Sequence, residues 1–408
     1  MPYVLVAAAI LWPNVVRVCR AFREVGFDVG AIALPQHPIH RSKAPNRTFE
    51  YRPKAAVDSL REAIAERRPD VVVPCDDRIV GHLCALRALG DEDIATLIET
   101  SLGSGGVSGV LAKRATLGEI ARLPDVDVPR TDNVAGVSDL QDWVSKFGLP
   151  AILKLDGSWG GNDIVLIRRE AEIRRAFWQM RLRQSILRSV KHYVTKQDVE
   201  ALSRLRSAIS VQSFVPGKQA NATVACWRGK VLASVAVEVV QLASPYGAAS
   251  VVHAVDGEAM VATAGSICRH YMLSGLYGFD FIIDERSGAT RLIEVNPRAT
   301  QIGHFNLGPG RDLAAALFEA VSGRSAASRT PIQSKDISLF PGEWRRDPQS
   351  SYLTSTFHDV PRDDPDLALY YGFDLSSDPV TAGPTARLSQ GVALKEAVFR
   401  GKRRRHRS

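Results

Sequence analysis

One stretch restricts the fold more than any other, namely Gly275–Arg298, which reads GLYGFDFIIDERSGATRLIEVNPR. Its two apolar runs, Phe279–Asp284 and Arg291–Asn296, flank a Ser-Gly turn signal. This pattern predicts a β-hairpin with one of the longer loops. Because side chains alternate along a strand, such a hairpin fixes which residues face each other across its two strands.

Charged and amide side chains gather on one face of this hairpin. Glu294 and Asn296 share a face, and a turn centred near Ser287 sets Asp280 opposite Glu294. Two facing carboxylates repel, and burying them is costly unless a cation or a proton intervenes. Their oxygens suit Mg²⁺, and a following arginine, Arg298, could hold phosphate oxygens. From the hairpin alone, a surface hairpin whose charges face water is an equal alternative.

The first ninety residues alternate between apolar strands and amphipathic helices. The predicted strands are Tyr3–Leu11, Asp28–Leu34 and Asp70–Val73, and the predicted helices are Val15–Val25, Val57–Arg67 and Arg78–Leu89. This β-α-β-α order predicts a small parallel sheet with helices on both faces. No G-x-G-x-x-G follows the first strand, so a dinucleotide site is not expected there.

Two aspartates, Asp76 and Asp77, follow the third strand directly. Ligands bind open α/β sheets at the carboxyl ends of their strands, which makes both residues candidates for a binding role. The alternative is that one of them caps the next helix. For each residue taken singly, the sequence favours the cap.

A lysine stands in an apolar strand immediately before a glycine-rich turn. The strand is Ala151–Leu155, the turn is Asp156–Gly161, and Ile164–Ile167 is the returning strand. Lys154 is costly in such a strand unless it extends to solvent or meets an anion. Glycine-rich turns let backbone N–H groups approach phosphate. The G-x-x-x-x-G-K-[ST] order of a Walker A loop is absent.

Further elements are predicted between and after these signals. They are helices over Leu111–Leu123, Ser138–Phe147, Val261–Leu273 and Asp312–Val321, a largely helical basic segment over Glu170–Arg206, and strands over Ser210–Phe214, Ala222–Cys226 and Lys230–Val240. The last eighty residues lose this regularity and predict an extended segment lying on the main body, with Lys402–Ser408 disordered.

Three features follow one another in order: the lysine and glycine-rich hairpin, a strand ending in Gln-Ser-Phe-Val-Pro-Gly, and the acidic hairpin ending in Leu-Ile-Glu-Val-Asn-Pro-Arg. In this order they resemble an ATP-grasp domain of the carboxylate–amine ligase kind, with a carbamoyl-phosphate-synthase-like ATP-binding domain. The resemblance covers about Lys113–Val321, roughly half of the chain. It implies an N-terminal α/β domain over residues 1–110, a two-lobed α+β ATP-grasp domain over 111–325, and a C-terminal extension over 326–408.

The resemblance implies roles for individual residues in nucleotide binding. Lys113 and Lys154 match the lysines that contact the phosphates. The flexible loop that closes over them is matched by Gly157, Ser158, Gly160 and Gly161. The strand that reads adenine is matched by Gln212, Ser213, Phe214 and Val215, with the Ser213 carbonyl and the Val215 N–H on the base. Gln219 falls near the ribose position, and many relatives have glutamate where this chain has Gln212 or Gln219.

The resemblance also assigns the hairpin. Asp280, Glu294 and Asn296 match metal ligands, although many relatives use glutamate at the first position. Arg298 matches the arginine near the transferred phosphate, so Arg298 and Lys154 are expected to be catalytic. His253 and His304 are candidates for substrate contact, with histidines satisfied by their neighbours as the alternative.

The implied reaction is ATP-dependent ligation. A carboxylate is activated as an acyl phosphate and joined to an amine, with ATP and Mg²⁺, or alternatively Mn²⁺, as cofactors. Phosphorylation of bicarbonate by a carbamoyl-phosphate-synthase-like or carboxylase-like enzyme, and non-catalytic nucleotide binding, stay open as alternatives. The expected partners are a small carboxylic acid and an amine, and a homodimer is an open alternative to a single chain.

Composition narrows the class of protein. The chain has 408 residues, 45% of them hydrophobic and 24% charged, which is ordinary for a globular protein with a large core. The net charge of +8 is concentrated over residues 168–206 and in the tail. Without an aromatic-interleaved module these runs predict solvated surfaces, and nucleic-acid binding is not expected. Five scattered cysteines indicate reduced thiols in a cytoplasm, and no apolar run is long enough to span a membrane.

Overall fold

The computed structural model describes residues 1–104, 111, 116–155, 164–183, 208–245 and 247–375. Three sheets organise these residues. Two have four strands and the third has seven. None of the described helices is long and apolar enough to cross a membrane.

The N-terminal sheet is parallel, as its alternating pattern predicts. Its strands are β1 (Tyr3–Ala7), β2 (Asp28–Ala33), β3 (Arg47–Glu50) and β4 (Val71–Pro74), in the order β3-β2-β1-β4. The helices are α1 (Asn14–Val25), α2 (Ala56–Arg67), α3 (Asp77–Arg87) and α4 (Glu92–Leu102). The first strand ends four residues before its predicted limit of Leu11, and beyond it the Ala9 N–H donates to the side chain of Asp76 instead of to a neighbouring strand. Neither β3 nor α4 was predicted.

A small antiparallel sheet follows. Its strands are β5 (Thr131–Val134), β6 (Ala151–Leu155), β7 (Ile164–Ile167) and β8 (Ile209–Ser213), in the order β5-β8-β6-β7. The accompanying helices are α5 (Leu117–Ile120), α6 (Val137–Phe147) and α7 (Ile173–Arg183). One face packs on α6 and α7 through Leu153, Val211, Trp143 and Phe177. The polar side chains of Lys154 and Gln212 lie on the opposite face.

The seven-stranded sheet carries the acidic hairpin. Its strands are β9 (Gly217–Trp227), β10 (Lys230–Leu242), β11 (Ala249–Val255), β12 (Gly275–Asp284), β13 (Thr290–Asn296), β14 (Asp336–Ser338) and β15 (Phe357–His358), in the order β13-β12-β9-β10-β11-β14-β15. Helix α8 (Glu258–His270) packs on one face, and α9 (Leu313–Ser322) lies on the other, against α1. The rings of Phe27 and Phe318, 5.1 Å apart, join the N-terminal sheet to α9.

The described part of the C-terminal extension is more regular than an extended segment, so that prediction was incomplete. It contains β14 and β15 and three short helices, α10 (Gly342–Arg346), α11 (Tyr352–Ser355) and α12 (Pro365–Tyr370). Strand β14 pairs antiparallel with β11, and β15 pairs parallel with β14. The extension therefore contributes the last two strands at one edge of the seven-stranded sheet. The tail at Lys402–Ser408 lies outside the described residues.

Candidate active site

The hairpin β12–β13 has the register that the turn position predicts. Asp280 lies directly opposite Glu294, and Gly278 lies opposite Asn296. A β-bulge follows Asp280, since Phe281 pairs with Leu292 and Ile293 is the extra residue. The extra residue shifts the alternation of side chains along β13. Leu292 therefore enters the core beside α8, while Glu294 faces the opposite side of the sheet. The two carboxylates consequently share one face.

Amide groups surround the carboxylate of Asp280. Asn221, on the neighbouring strand β9, donates from Nδ2 to Oδ1 at 2.6 Å, and Asn296 donates to Oδ2 at 3.1 Å. Burial, and after it the charge of Glu294, raise the pKa of Asp280 to about 6 against the lowering effect of the two amides. Asn221 was not predicted, although the alternation of polar Gln219, Asn221 and Thr223 with alanines along β9 was a signal that could have found it.

Arg298 is held from two directions. Its Nη2 donates to Asn296 Oδ1 at 2.9 Å, and its Nε donates to Asp77 Oδ1 at 2.9 Å. The ring of Trp12 lies 5.9 Å from the guanidinium carbon. Burial alone lowers the pKa of Arg298, but the carboxylates of Asp77, Glu294 and Asp280 together outweigh burial and raise the pKa overall. Arg298 therefore stays positively charged at the edge of the acidic pair.

The donor set of this hairpin fits a divalent cation. Two facing carboxylates and an amide provide the hard oxygen ligands that Mg²⁺ prefers. Burial first and the charge of Glu294 second disfavour the ionised form of Asp280, a cost that a bound cation would offset. Within the described ranges, no cluster of three or more His, Cys, Asp and Glu side chains forms a metal site. A metal here would accordingly take Asp280, Glu294 and Asn296 together with oxygens of a ligand.

The small sheet presents a second polar group. Lys154 is only 4% exposed, too little for its ammonium to extend into solvent. Its Nζ donates to Gln212 Oε1 at 2.7 Å, and Gln212 Nε2 donates in turn to Thr131 Oγ1 at 2.8 Å. The lysine thus lies on the face of β6 that is turned away from α6 and α7, where its ammonium donates to a neutral amide.

The segment after β8 joins the two polar groups. Beyond Ser213 the chain leaves the small sheet, passes through Phe214 and the buried Val215, and enters the large sheet at β9. The Pro216 carbonyl accepts from the N–H of Glu285 in the hairpin turn at 3.1 Å. Gln219 lies opposite Ile282 of the hairpin. The adenine and ribose roles of these residues stay predictions.

Other predicted residues fall outside or beside these groups. Lys113, Gly157, Ser158, Gly160 and Gly161 lie outside the described residues. His253 lies on β11, three strands from β12, where Nδ1 pairs with Asp336 at 2.7 Å. His304 is buried, and its Nε2 contacts Asp359 at 3.1 Å.

The two aspartates after β4 have different surroundings. Asp76 caps α3 by accepting from the N–H groups of Arg78 and Ile79, as the sequence favours. Asp77 is not the cap: it lies in the first turn of α3 and pairs with Arg298, 221 residues away in sequence. Because that partner is so distant, no local signal identified the contact.

Comparisons with known proteins agree with this geometry. A family model described as an ATP-grasp domain matches residues 150–301, which include Lys154, Gln212 and the whole acidic hairpin. A search of curated proteins finds no match.

Several solved structures share the fold. N5-carboxyaminoimidazole synthetase from Staphylococcus aureus is 14% identical, with a TM-score of 0.56 over 80% of this chain and 78% of that chain. Biotin carboxylase from Campylobacter jejuni, in a complex with β-γ-ATP, is 14% identical, with a TM-score of 0.58 over 80% of this chain and 72% of that chain. L-amino acid ligase from Bacillus licheniformis is 16% identical, with a TM-score of 0.54 over 79% and 75%. These likenesses confirm the predicted fold class.

Proposed function

Because a family model described as an ATP-grasp domain matches residues 150–301, we propose that the protein is an ATP-dependent ligase. It activates a carboxylate as an acyl phosphate and joins the acyl group to an amine, releasing ADP and phosphate. One observation carries the proposal above all: Asp280 faces Glu294 on a surface that Asn296 and Arg298 complete. Simple nucleotide binding does not require a paired-carboxylate metal site beside a fixed guanidinium.

Charge placement explains how these residues act. In the first step a carboxylate oxygen of the acid attacks the γ-phosphorus of ATP, and the bond to ADP breaks. Arg298 binds the transferred phosphate through its guanidinium, which remains charged beside Asp77. Asp280, Glu294 and Asn296 would hold Mg²⁺, which when bound neutralises charge on the phosphate oxygens.

The small sheet contributes the second cation. Lys154 exchanges the neutral Gln212 oxygen for a phosphate oxygen and so binds the nucleotide from the opposite lobe. In the second step the amine nitrogen attacks the acyl carbon, the carbon–oxygen bond to phosphate breaks, and the amine loses a proton to solvent. No covalent intermediate on the protein is needed for either step.

Bicarbonate phosphorylation is the second candidate. It is favoured by a structural neighbour, the biotin carboxylase domain of the Hydrogenobacter thermophilus 2-oxoglutarate carboxylase, which is described in complex with MgADP and bicarbonate at 16% identity and a TM-score of 0.57. In that case bicarbonate takes the place of the carboxylic acid in the first step.

ADP release with a substrate panel distinguishes the candidates. The purified protein with ATP and Mg²⁺ is given amino acids and small acids, amines, both together, or bicarbonate alone, with mass detection of condensed products. The ligase proposal expects ADP and a condensed product only when an acid and an amine are both present. ADP release with bicarbonate and no amino acid would favour the second candidate, and no turnover on any combination would contradict both.

A further inference from the structure

The segment that follows the acidic hairpin is fastened to the N-terminal sheet at its carboxyl edge. The Ala299 N–H donates to the carbonyl of Pro74, the last residue of β4, at 2.9 Å. Asn14, the first residue of α1, donates from Nδ2 to the Thr300 carbonyl at 2.6 Å. The backbone that carries Arg298 is therefore fixed by a domain that lies outside the region matched by the family model.

Asp77 extends this attachment to the guanidinium itself. The side chain of Arg298 is 17% exposed and that of Asp77 is 38% exposed. The Nε–H donates to Asp77, one Nη donates to Asn296, and the other lies 3.4 Å from the Ala299 carbonyl. With Nε engaged by Asp77, the plane of the guanidinium is fixed, because an Arg fork has rigid geometry.

Asp77 is itself held in place by its neighbour. Asp76 accepts from Arg78 and Ile79 at 3.1 Å each and from the Ala9 N–H at 2.6 Å, which fixes the start of α3 against the loop after β1. The position of Asp77 thus follows from the N-terminal fold rather than from Arg298. Because Asp77 is fixed independently of Arg298, it can hold the guanidinium in one orientation, unlike a surface ion pair between two mobile side chains.

We propose that Asp77 is a positioning residue for phosphoryl transfer: it orients Arg298 toward the transferred phosphate and makes the N-terminal domain part of the transfer site. The proposal rests on the proposed function for its kinetic test. It assigns Asp77 no contact with the reacting atoms. Orientation matters here because small displacements of a charged group at the reacting centre reduce rates strongly.

The test compares Asp77→Ala and Asp77→Asn with a matched control, Asp93→Ala. Asp93 is exposed and lies in the first turn of α4, so its replacement repeats the change at a helix start without touching the hairpin. We expect kcat for ADP release to fall about tenfold or more in Asp77→Ala, with a smaller change in the KM for ATP. Asp77→Asn retains an oxygen that accepts from Nε, so it should keep more activity than Asp77→Ala. Equal kcat in Asp77→Ala and Asp93→Ala would overturn the proposal.

A double variant separates positioning from a general loss of stability. If Asp77 acts through Arg298, adding Asp77→Ala to Arg298→Gln should reduce the rate little beyond Arg298→Gln alone. If the fold-loss in rate of the double variant equalled the product of the two single losses, the two residues would act independently, and the proposal would be overturned.

A binding measurement keeps the proposal testable even if no substrate pair gives turnover. The affinities for ADP and for a non-hydrolysable ATP analogue are measured with Mg²⁺ by calorimetry. The ratio of the Kd for ADP to the Kd for the ATP analogue should be smaller in Asp77→Ala and in Arg298→Gln than in Asp93→Ala. An unchanged preference in Asp77→Ala overturns the proposal, whether or not the ligase reaction has been found.

Discussion

Lys154 illustrates how one residue can be costly to the fold and useful to the site. It is buried on an apolar strand, and its ammonium donates to the neutral oxygen of Gln212. Under the proposed function a phosphate oxygen would take the place of this amide oxygen and, being charged, would be the stronger partner.

Replacing Lys154 should separate nucleotide binding from folding. Lys154→Met keeps the length of the side chain and removes the charge, so we expect ATP affinity to fall at least about tenfold, the loss of one charge-assisted hydrogen bond. Lys146→Met, on the exposed face of α6, is the matched control and should bind ATP normally. Calorimetric titration with ATP checks both. Wild-type affinity in Lys154→Met would show that the lysine does not contact the phosphates.

At the scale of elements, much of the fold follows from hydrophobic periodicity. The register of β12–β13 follows from the position of a Ser-Gly turn, and the parallel N-terminal sheet follows from its β-α-β-α order. Strand β11 was missed because all but two of its seven residues are buried, so no alternating pattern marks it. Strands β14 and β15, of three and two residues, are too short to show a period.

Only the part of the candidate site that depends on local strand register could be predicted from the sequence. The pairing of Asp280 with Glu294 depends on local register, which a sequence displays. The contacts from Asn221 and Asp77 depend on which strands and domains become neighbours, and no local pattern encodes that. The contact between β12 and β9 joins residues about sixty positions apart, so the local sequence pattern does not predict it.

A glycine on β12 allows the post-hairpin turn to approach the sheet. A Cβ at Gly278 would collide with Thr300 Cγ2, and Thr300 also bonds through its hydroxyl to Thr223 of β9. We expect Gly278→Ala to reduce the free energy of unfolding by about 1–3 kcal/mol through overpacking and to lower activity, because Arg298 lies two residues before Thr300.

Gly265→Ala provides the control for that change. Gly265 lies inside α8 with nothing within 4 Å of an added Cβ, so alanine there should stabilise the protein by about 0.5–1 kcal/mol. Urea unfolding followed by circular dichroism measures both variants. If Gly278→Ala were as stable as the wild type, the close approach of Thr300 would not matter to the fold.

For the molecule as a whole, the C-terminal extension is attached through a buried carboxylate. Glu343 of α10 accepts from Ser250 of β11 at 2.7 Å and from Arg346 Nε at 2.8 Å, and it also accepts from Ser350. Burial alone raises its pKa, but these hydrogen bonds outweigh burial and lower the pKa from the ordinary 4.5 to about 2. The ionised form is therefore the one that stabilises the native state.

The sign of the pH dependence follows from that lowered pKa. The contribution of Glu343 is fully present above about pH 4.5 and is lost as the pH falls towards 2. Glu343→Gln should reduce the free energy of unfolding by about 2 kcal/mol at pH 7, and this difference from the wild type should shrink on acidification. Thermal unfolding from pH 7 to pH 2 measures it, with the exposed Glu285→Gln as control. A difference that did not change with pH would mean that the charge of Glu343 is unimportant.

In the proposed reaction, the acidic hairpin of the large sheet and Lys154 of the small sheet contact the phosphates, while Asp77 at the start of α3 positions Arg298 without touching them. The most direct test of this account is ADP formation by Glu294→Gln, compared with Glu285→Gln in the turn of the same hairpin. We expect Glu294→Gln to form no measurable ADP while its circular dichroism spectrum and melting temperature stay near those of the wild type, and we expect Glu285→Gln to remain active. Full activity in Glu294→Gln would contradict the assignment of the hairpin as the phosphoryl-transfer site.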